Sequence, residues 1–138
     1  MSRELARRLL ETSRRIAVLG ARDKPHKAGF YVGEYLVHAG YQLFPVNPRL
    51  AGQRLWGRPV VASLLELEDI DMVDVFRRSE DLHLHLDEIL VLKPRSVWLQ
   101  LGIRNEAFAQ RLREAGIEVV QDRCTLADHR SMGLAGPS

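Results

Sequence analysis

Basic side chains follow the apolar runs of this chain at several places, and they form its clearest chemical pattern. If the apolar runs are parallel strands, their carboxyl ends share one edge of a sheet, which is where ligands of such sheets lie. Guanidinium and ammonium groups there would bind phosphate oxygens through charge-assisted hydrogen bonds. The pattern predicts a site for an anion with several phosphates; the alternative is that the loops are simply polar and arginine-rich. The cations concerned are Arg22, Lys24, Lys27, Arg49, Arg77, Arg78, Arg104 and Arg123.

The stretch from Arg15 to Pro48 contains the most informative of these loops. A buried-looking strand, Ile16 to Leu19, breaks at Gly20 and is followed by a basic loop, an amphipathic helix and a second apolar strand. This order is that of a βαβ unit, in which the free N–H groups of the helix start attract phosphate. A glycine at position 20 lets the backbone approach a pyrophosphate closely.

The residues around the second strand of this unit differ from those of a typical dinucleotide-binding fold. The G-x-G-x-x-G fingerprint is missing, since Gly29 is the next glycine after Gly20, and no acid follows the second strand to hold a ribose. Asn47, Pro48 and Arg49 stand there instead. An arginine at this edge suits an additional ribose phosphate, such as NADP or coenzyme A carries.

Other candidate residues point to no catalytic or metal site. His83 and His85 lie two residues apart, which on a helix directs them away from each other, so we interpret them as surface histidines. Cys124 and His129 lack a recognisable third member of a nucleophilic triad, and we interpret Cys124 as a buried cysteine. Trp56, on a turn-rich loop, is a candidate for a lid or an interface.

Strands and helices must alternate along the chain to position these residues. Further strands are predicted at 72–76, 96–100 and 117–121, with helices between them, one of them capped by Ser79 and the next by Asn105. Five such alternations predict the α/β class, a doubly wound parallel sheet of five main strands with helices on both faces. We expect a single domain over 1–138, with an N-terminal helix at 2–13, a core at 15–129 and a flexible tail at 133–138.

Composition excludes several functional classes. A net charge of +2 across 138 residues gives no reason to expect nucleic-acid or membrane binding, and no apolar run is long enough to span a bilayer. Cys124 is the only cysteine, which favours a reducing compartment, so we predict a cytoplasmic protein.

Five segments, taken together, resemble a known family. In chain order they are 20–25 (GARDKP), 45–48 (PVNP), 73–81 (VDVFRRSED), 97–102 (VWLQLG) and 122–124 (DRC). With their spacing, they are similar to the stand-alone CoA-binding proteins over roughly 15–129. The Rossmann-like fold of that family resembles the N-terminal CoA-binding domain of the succinyl-CoA synthetase alpha subunit.

The resemblance implies coenzyme A or an acyl-CoA as the ligand, and it implies roles for particular positions. The synthetases carry their phosphorylated histidine on a second domain and their nucleotide site on a partner subunit, so we do not transfer the ligase activity and expect no catalysis. The resemblance places the pyrophosphate at Gly20, Ala21, Lys24 and Lys27, the adenosine with its ribose phosphate at Val46, Asn47, Pro48 and Arg49, and the adenine or phosphate side at Phe76 and Arg77.

Two other functions stay open at this point. One is an NADP-using oxidoreductase fragment, and the other is an interaction module whose basic edge binds a protein or RNA, although few aromatic residues lie near the cations. A homodimer, through the stripe of Leu5, Leu9 and Leu10 and the Trp56 loop, or an unidentified partner protein is also plausible.

Overall fold

The computed structural model describes residues 2–137, and it contains a five-stranded parallel sheet and a small antiparallel hairpin. The chain runs through α1 (Ser2–Thr12), β1 (Arg15–Leu19), α2 (Ala28–His38), β2 (Gln42–Val46), β3 (Arg54–Leu55), β4 (Arg58–Pro59), β5 (Met72–Val75), α3 (Leu86–Leu92), β6 (Ser96–Leu99), α4 (Glu106–Glu114), β7 (Glu118–Val120) and α5 (Thr125–Ser131). Short 3-10 segments occupy Pro48–Leu50, Leu64–Glu66 and Ser79–His85.

The strand order of the large sheet is β2-β1-β5-β6-β7, and neighbouring strands pair in parallel. The predicted α/β class, with a doubly wound parallel sheet of five strands, is therefore confirmed. The chain moves from β1 to one side to form β2 and then crosses to the other side of β1 to form β5. A crevice opens at such a reversal, outside the carboxyl ends of the two central strands.

Strand β1 shows why the apolar runs are nearly continuous. Successive side chains of a strand point to opposite faces, and helices cover both faces of this sheet. Ile16 and Val18 pack in a cluster with buried residues of α1 and α2. Ala17 and Leu19 pack in a second cluster with buried residues of α3 and α4. The strands are thereby fixed in position, and the loops at their carboxyl ends are free to form a site.

The hairpin of β3 and β4 is held on α2 by Trp56. A Cβ atom built on Gly33 would lie 2.3 Å from Cζ2 of Trp56, so the absence of a side chain at residue 33 makes room for the indole. Phe30 contacts the same indole with ring centroids 6.2 Å apart. Trp56 is thus a packing residue between the hairpin and α2.

The segment before α3 differs from the sequence-based prediction. Ser79 does not cap a helix: Ser79–His85 is a 3-10 segment whose N-cap residue is Arg78, and α3 begins only at Leu86. The hydroxyl of Ser79 instead accepts a hydrogen bond from the backbone N–H of Arg104, at 3.0 Å. The hydroxyl of Ser79 therefore makes a tertiary contact with the loop after β6 and does not cap a helix.

The end of the described chain lies against α2 and α5. The ring of His129 contacts the carbonyl of Ala135 at 3.1 Å, and Gly136 lies against the end of α2, where a Cβ atom would clash with the carbonyl of Ala39. The flexibility predicted for 133–138 stays a prediction, and Ser138 lies outside the described residues. Across 2–137, no helix is both long and apolar enough to cross a membrane.

Candidate functional site

A cavity lies at the carboxyl edge of the sheet, at the reversal between β1 and β5. This main cleft has a volume of about 450 Å³. Its walls come from the loop after β1 with the start of α2, from the chain after β5 and from the loop after β6. The lining residues are Gly20, Arg22, Lys27, Ala28, Gly29, Phe76, Arg77, Arg78, Ser79, Glu80, Gln100, Leu101, Gly102 and Ile103.

Gly20 allows the ends of β1 and β5 to lie close together in the main cleft. Its φ of +87° is in the region that side chains rarely adopt. A Cβ atom there would lie 2.8 Å from the carbonyl oxygen of Phe76 and 3.1 Å from Cδ of Arg77. Any side chain at residue 20 would therefore push the two strand ends apart.

The loop after β1 is held in place by backbone and amide groups. The N–H of Arg22 donates to the carbonyl of Gly29, and a Cβ atom on Gly29 would approach Gly20 O to 2.8 Å. Asn47 donates from Nδ2 to the carbonyl of the buried Ala21, at 2.7 Å, and accepts from the N–H of Arg49, at 2.9 Å. Asn47 and Ala21 thus shape the loop from behind, and the start of α2 is brought against it.

A second cavity adjoins the main cleft on the α3 side. This side pocket has a volume of about 210 Å³ and shares Gly20 and Arg77 with the main cleft. Gly20 and Arg77 therefore lie between the two cavities, which we together call the groove. The side pocket is lined by Leu19, Gly20, Val46, Asn47, Pro48, Ala62, Arg77, His85 and Glu88.

The structure brings only part of the predicted set of cations together. Those that line the main cleft are Arg22, Lys27, Arg77 and Arg78. Lys24 and Arg49 are exposed and lie outside the lining of both cavities. Arg123 is engaged elsewhere, because its guanidinium donates to both carboxylate oxygens of Asp128, at 2.6 and 3.0 Å. Arg104 lines a separate polar depression beside β7.

Of the remaining predicted site residues, Phe76 is half-buried in the main cleft, and Val46 and Pro48 line the side pocket.

His85 was wrongly interpreted as a surface histidine: its side chain is only 16% exposed, and its Nδ1 lies 2.8 Å from Oε2 of Glu88. The sequence predicted an α-helix here, in which His85 would be exposed. The segment is instead a 3-10 helix, whose turn is tighter than that of an α-helix, and the ring of His85 points inward. Sequence reasoning missed both His85 and Glu88 as lining residues.

A buried carboxylic acid lies behind the main cleft. Asp74, in the middle of β5, is fully buried and accepts hydrogen bonds from Gln100 Nε2, at 2.5 Å, and from the hydroxyl of Thr125, at 3.0 Å. Gln100 also lines the main cleft, so a single side chain separates the carboxyl group of Asp74 from the space where a ligand would bind. Burial raises the pKa of Asp74 to about 7, and the two hydrogen bonds lower it only in part.

The other candidates from the sequence do not form a site. Both ring nitrogens of His129 are occupied, Nδ1 by the hydroxyl of Tyr35 at 2.8 Å and Nε2 by the carbonyl of Ala135. Cys124 is half-buried rather than fully buried. Over the part of the chain that the structure describes, no cluster of three or more His, Cys, Asp or Glu side chains could hold a metal ion.

The fold and the groove define the class: this is a doubly wound α/β protein with its candidate ligand site at the carboxyl edge of the sheet, at a reversal of strand order. A family model described as "CoA binding domain" matches residues 14–130, which is most of the chain. The chain therefore belongs to the CoA-binding domain family, and the resemblance found in its motifs is confirmed.

Relatives of known sequence or structure agree with this membership. The uncharacterized protein YneT of Bacillus subtilis (strain 168) is 38% identical over 122 residues, which cover 88% of this chain and 89% of that protein. A solved Thermus thermophilus structure, cell-free ID.343, is 46% identical with a TM-score of 0.91, and the match covers 96% of this chain and 99% of that one.

A more distant structure shows the fold alone. The dinucleotide-forming acetyl-coenzyme A synthetase 1 of Ca. Korarchaeum cryptofilum is 20% identical, with a TM-score of 0.67 to 0.68. The match covers 80% of this chain and 26% of that one. The same arrangement of strands and helices therefore occurs as a minor part of a much larger protein.

Proposed function

We propose that this protein binds coenzyme A or an acyl-CoA in the groove at the carboxyl edge of its sheet and performs no chemistry on it. The observation that carries the proposal is the backbone turn at Gly20, where only a glycine fits between the ends of β1 and β5. Cations line the groove beside that turn, and α2, an 11-residue helix, begins there. A pyrophosphate would accept hydrogen bonds from these groups, and its negative charge would neutralise their positive charge.

The groove suggests how the ligand would lie. The pyrophosphate would cross Gly20 beside Lys27, with Lys24 reaching in from the rim. The adenosine would turn toward Val46, Pro48 and the exposed Arg49, at the side pocket. The pantetheine arm would then follow the main cleft past Phe76 toward the loop after β6, where Leu101 is 72% exposed.

Binding without chemistry is the simplest account of the main cleft. Within 2–137, its lining contains neither a histidine nor a cysteine. Glu80 lines the cleft, and Asp74, behind it, is separated from the cleft by Gln100. We further propose that the protein acts in the cytoplasm.

A homodimer stays a proposal with less support than the sequence suggested. Leu9 and Leu10 are buried against the protein's own sheet, and Trp56 packs on α2, so neither offers a free apolar surface. The binding proposal does not depend on the oligomeric state.

Thermal unfolding with added ligands tests the proposal against the nucleotide alternatives. A ligand at 100 times its Kd stabilises the native state by about 2.7 kcal/mol. For 138 residues, this raises the Tm by about 9 °C. We expect CoA to do so and NAD and NADP to do much less. Equal shifts with all three, or none with CoA, would contradict the proposal; native mass spectrometry of gently purified protein would show any ligand retained from the cell.

A pair of glycine variants tests the location of the site. Gly20→Ala adds a methyl group that meets Phe76 O, whereas Gly52→Ala adds one at a similar φ of +90° with no atom within 4 Å. Both variants place a side chain at positive φ, which destabilises each by a similar amount, and Gly20→Ala adds the clash with Phe76. Only Gly20→Ala should weaken CoA binding, by at least roughly tenfold in a calorimetric titration. Wild-type affinity in a folded Gly20→Ala protein would show that the ligand binds elsewhere.

A further inference from the structure

Asp74, Gln100 and Thr125 form a closed ring of hydrogen bonds behind the main cleft. Gln100 donates both N–H groups of its amide, one to Oδ1 of Asp74 at 2.5 Å and one to the hydroxyl of Thr125 at 2.9 Å. That hydroxyl donates in turn to Oδ2 of Asp74, at 3.0 Å. Every hydrogen of the three polar groups is therefore used inside the ring, and an ionised Asp74, which only accepts, completes it.

The amide oxygen of Gln100 lies outside this ring. Within residues 2–137, no group donates a hydrogen bond to Oε1 of Gln100. Unlike the unpartnered Nε of Arg77, which is fully buried, Oε1 keeps accessible surface, although Gln100 as a whole is only 5% exposed. Because Gln100 lines the main cleft, this oxygen is the group that it offers to a ligand there.

A proton on Asp74 changes the number of hydrogens in the ring. With the amide as described, the new O–H could donate only to the hydroxyl of Thr125, whose own hydrogen would then lose its partner. If the amide turns over, the acid donates to Oε1 of Gln100 and Thr125 still donates to Oδ2. The two ends of an amide are nearly equal in size, and 2.5 Å is a normal length for an O–H···O bond, so no neighbour has to move. An ionised Asp74 excludes the turned amide, because two oxygens would then face each other without a hydrogen.

Other ionisable groups near Asp74 are engaged elsewhere, are exposed or line the main cleft. Val18 and Trp98, its neighbours in register on the two adjacent strands, do not titrate. On α5 and the loops beside it, Arg123 pairs with Asp128, His129 contacts Tyr35, Cys124 is half-buried, and Arg104 and Arg130 are exposed. The ionisable groups that line the main cleft with Gln100 are Arg22, Lys27, Arg77, Arg78 and Glu80. Burial therefore dominates the pKa of Asp74, which lies at about 7, so both forms of the acid are populated near neutral pH.

We propose that Asp74 sets the hydrogen-bonding character of Gln100 toward the main cleft: the ionised acid makes Gln100 an acceptor, and the protonated acid makes it a donor. Asp74 and Thr125 are then positioning residues, and Gln100 is the residue that contacts the ligand. The coupling itself is a property of the protein without ligand. Only the nature of the ligand rests on the proposed function.

Given the proposed function, the acceptor form of Gln100 suits coenzyme A. The pantetheine arm has two amide N–H groups, which lose their hydrogen bonds to water when the arm enters the cleft. The arginine and lysine side chains of the lining only donate. The hydroxyl of Ser79 already accepts from Arg104, and the carboxylate of Glu80 is largely exposed. We therefore expect CoA to bind more tightly when Asp74 is ionised.

NMR of the unmodified protein without ligand tests the coupling. The measured quantity is the protection factor of the Gln100 side-chain amide, by which its hydrogen exchange is slowed relative to a free amide. This factor should fall at least roughly tenfold from pH 8.5 to pH 5.5, because the N–H groups leave the ring, and its midpoint should match the titration of the Asp74 carboxyl carbon. The amide of the exposed Gln53 is the control and should keep a constant factor. A constant factor at Gln100, or an Asp74 that does not titrate in this range, would overturn the proposal.

Calorimetric titration of CoA at pH 6 and pH 8 tests the effect on binding, with Asp74→Asn as the matched variant. The Kd of the wild-type protein should be roughly fivefold higher at pH 6 than at pH 8, beyond any change that Asp74→Asn shows, since ionisation of the CoA phosphates affects both proteins equally. Thr125→Ser keeps the hydroxyl and should keep this difference, whereas Thr125→Val should reduce it. The same pH dependence in wild type and Asp74→Asn would show that Asp74 does not control the ligand contact. If CoA binds at neither pH, the proposed function is wrong, and the NMR measurement still decides the coupling.

Discussion

The buried acid behind the cleft should make the stability of the protein fall as the pH rises toward neutrality. Within residues 2–137, the side chain of Asp74 has two hydrogen-bond partners, Gln100 and Thr125, and both are neutral. Burial therefore favours the neutral acid in the folded state, whereas the unfolded chain leaves the carboxyl in water. We expect the contribution of Asp74 to be most favourable in acid and to be lost as the pH increases.

The size of the effect follows from the difference between the two pKa values. The pKa of Asp74 rises from 3.8 to about 7 on folding. Between these values the folded state holds a proton that the unfolded state has released, so the free energy of unfolding decreases by up to about 1.4 kcal/mol per pH unit. The whole loss between pH 4 and pH 7.5 amounts to about 4 kcal/mol, and the contribution is constant at higher pH.

Urea unfolding from pH 4 to pH 8 measures this dependence, with Asp74→Asn as the reference protein. Asparagine has the same size but does not titrate, so the difference in unfolding free energy between the two proteins isolates Asp74. Glu106 and Glu118, whose pKa values are lowered by arginine partners, act in the opposite direction but cancel in that difference. A difference that stays constant across this pH range would refute the reasoning.

Two further predictions concern the groove and the hairpin. Lys27→Ala should weaken CoA binding roughly fivefold in a calorimetric titration, because Lys27 lines the main cleft, whereas Lys24→Ala should change it less than about twofold from its place on the rim; a larger effect at Lys24 would reverse this assignment. Gly33→Ala should lower the free energy of unfolding by about 1 to 3 kcal/mol, since the new methyl group meets the indole of Trp56 at 2.3 Å. Alanine is ordinarily the better helix residue, so a stabilised variant in urea unfolding would contradict the packing of Trp56.

The strands could be predicted from the sequence because both faces of the sheet are covered. Strand β1, in which Ile16 to Leu19 are buried in succession, gives a short apolar run in the sequence. The order of the strands has no such local signal, because it depends on which side of β1 each crossover takes. The turn at Gly20 was also predictable, since a glycine between an apolar strand and a basic loop has few other uses.

The parts of the site that were missed depend on contacts between distant residues. Asp74, Gln100 and Thr125 meet only once three elements have packed, and a single aspartate in an apolar run does not reveal its partners. His85 was misinterpreted because the periodicity of its segment suggested an α-helix. The hydrogen bond from Arg104 to Ser79, which takes the predicted cap, comes from a loop 25 positions away in the sequence.

The reversal of strand order at β1 also has a consequence for kinetics. Gly20 follows β1 and Phe76 follows β5, and these two strands pair Ile16 with Met72 across a long stretch of chain. Pairings so distant in sequence are slow to form, because the entropy of closing the intervening loop is lost before any contact is gained. The strands of the βαβ unit, β1 and β2, are closer in sequence, but the groove exists only after β5 has joined them. We therefore expect a bound ligand to slow unfolding and to leave the rate of folding nearly unchanged, so that its benefit to the cell is a longer lifetime of the folded protein.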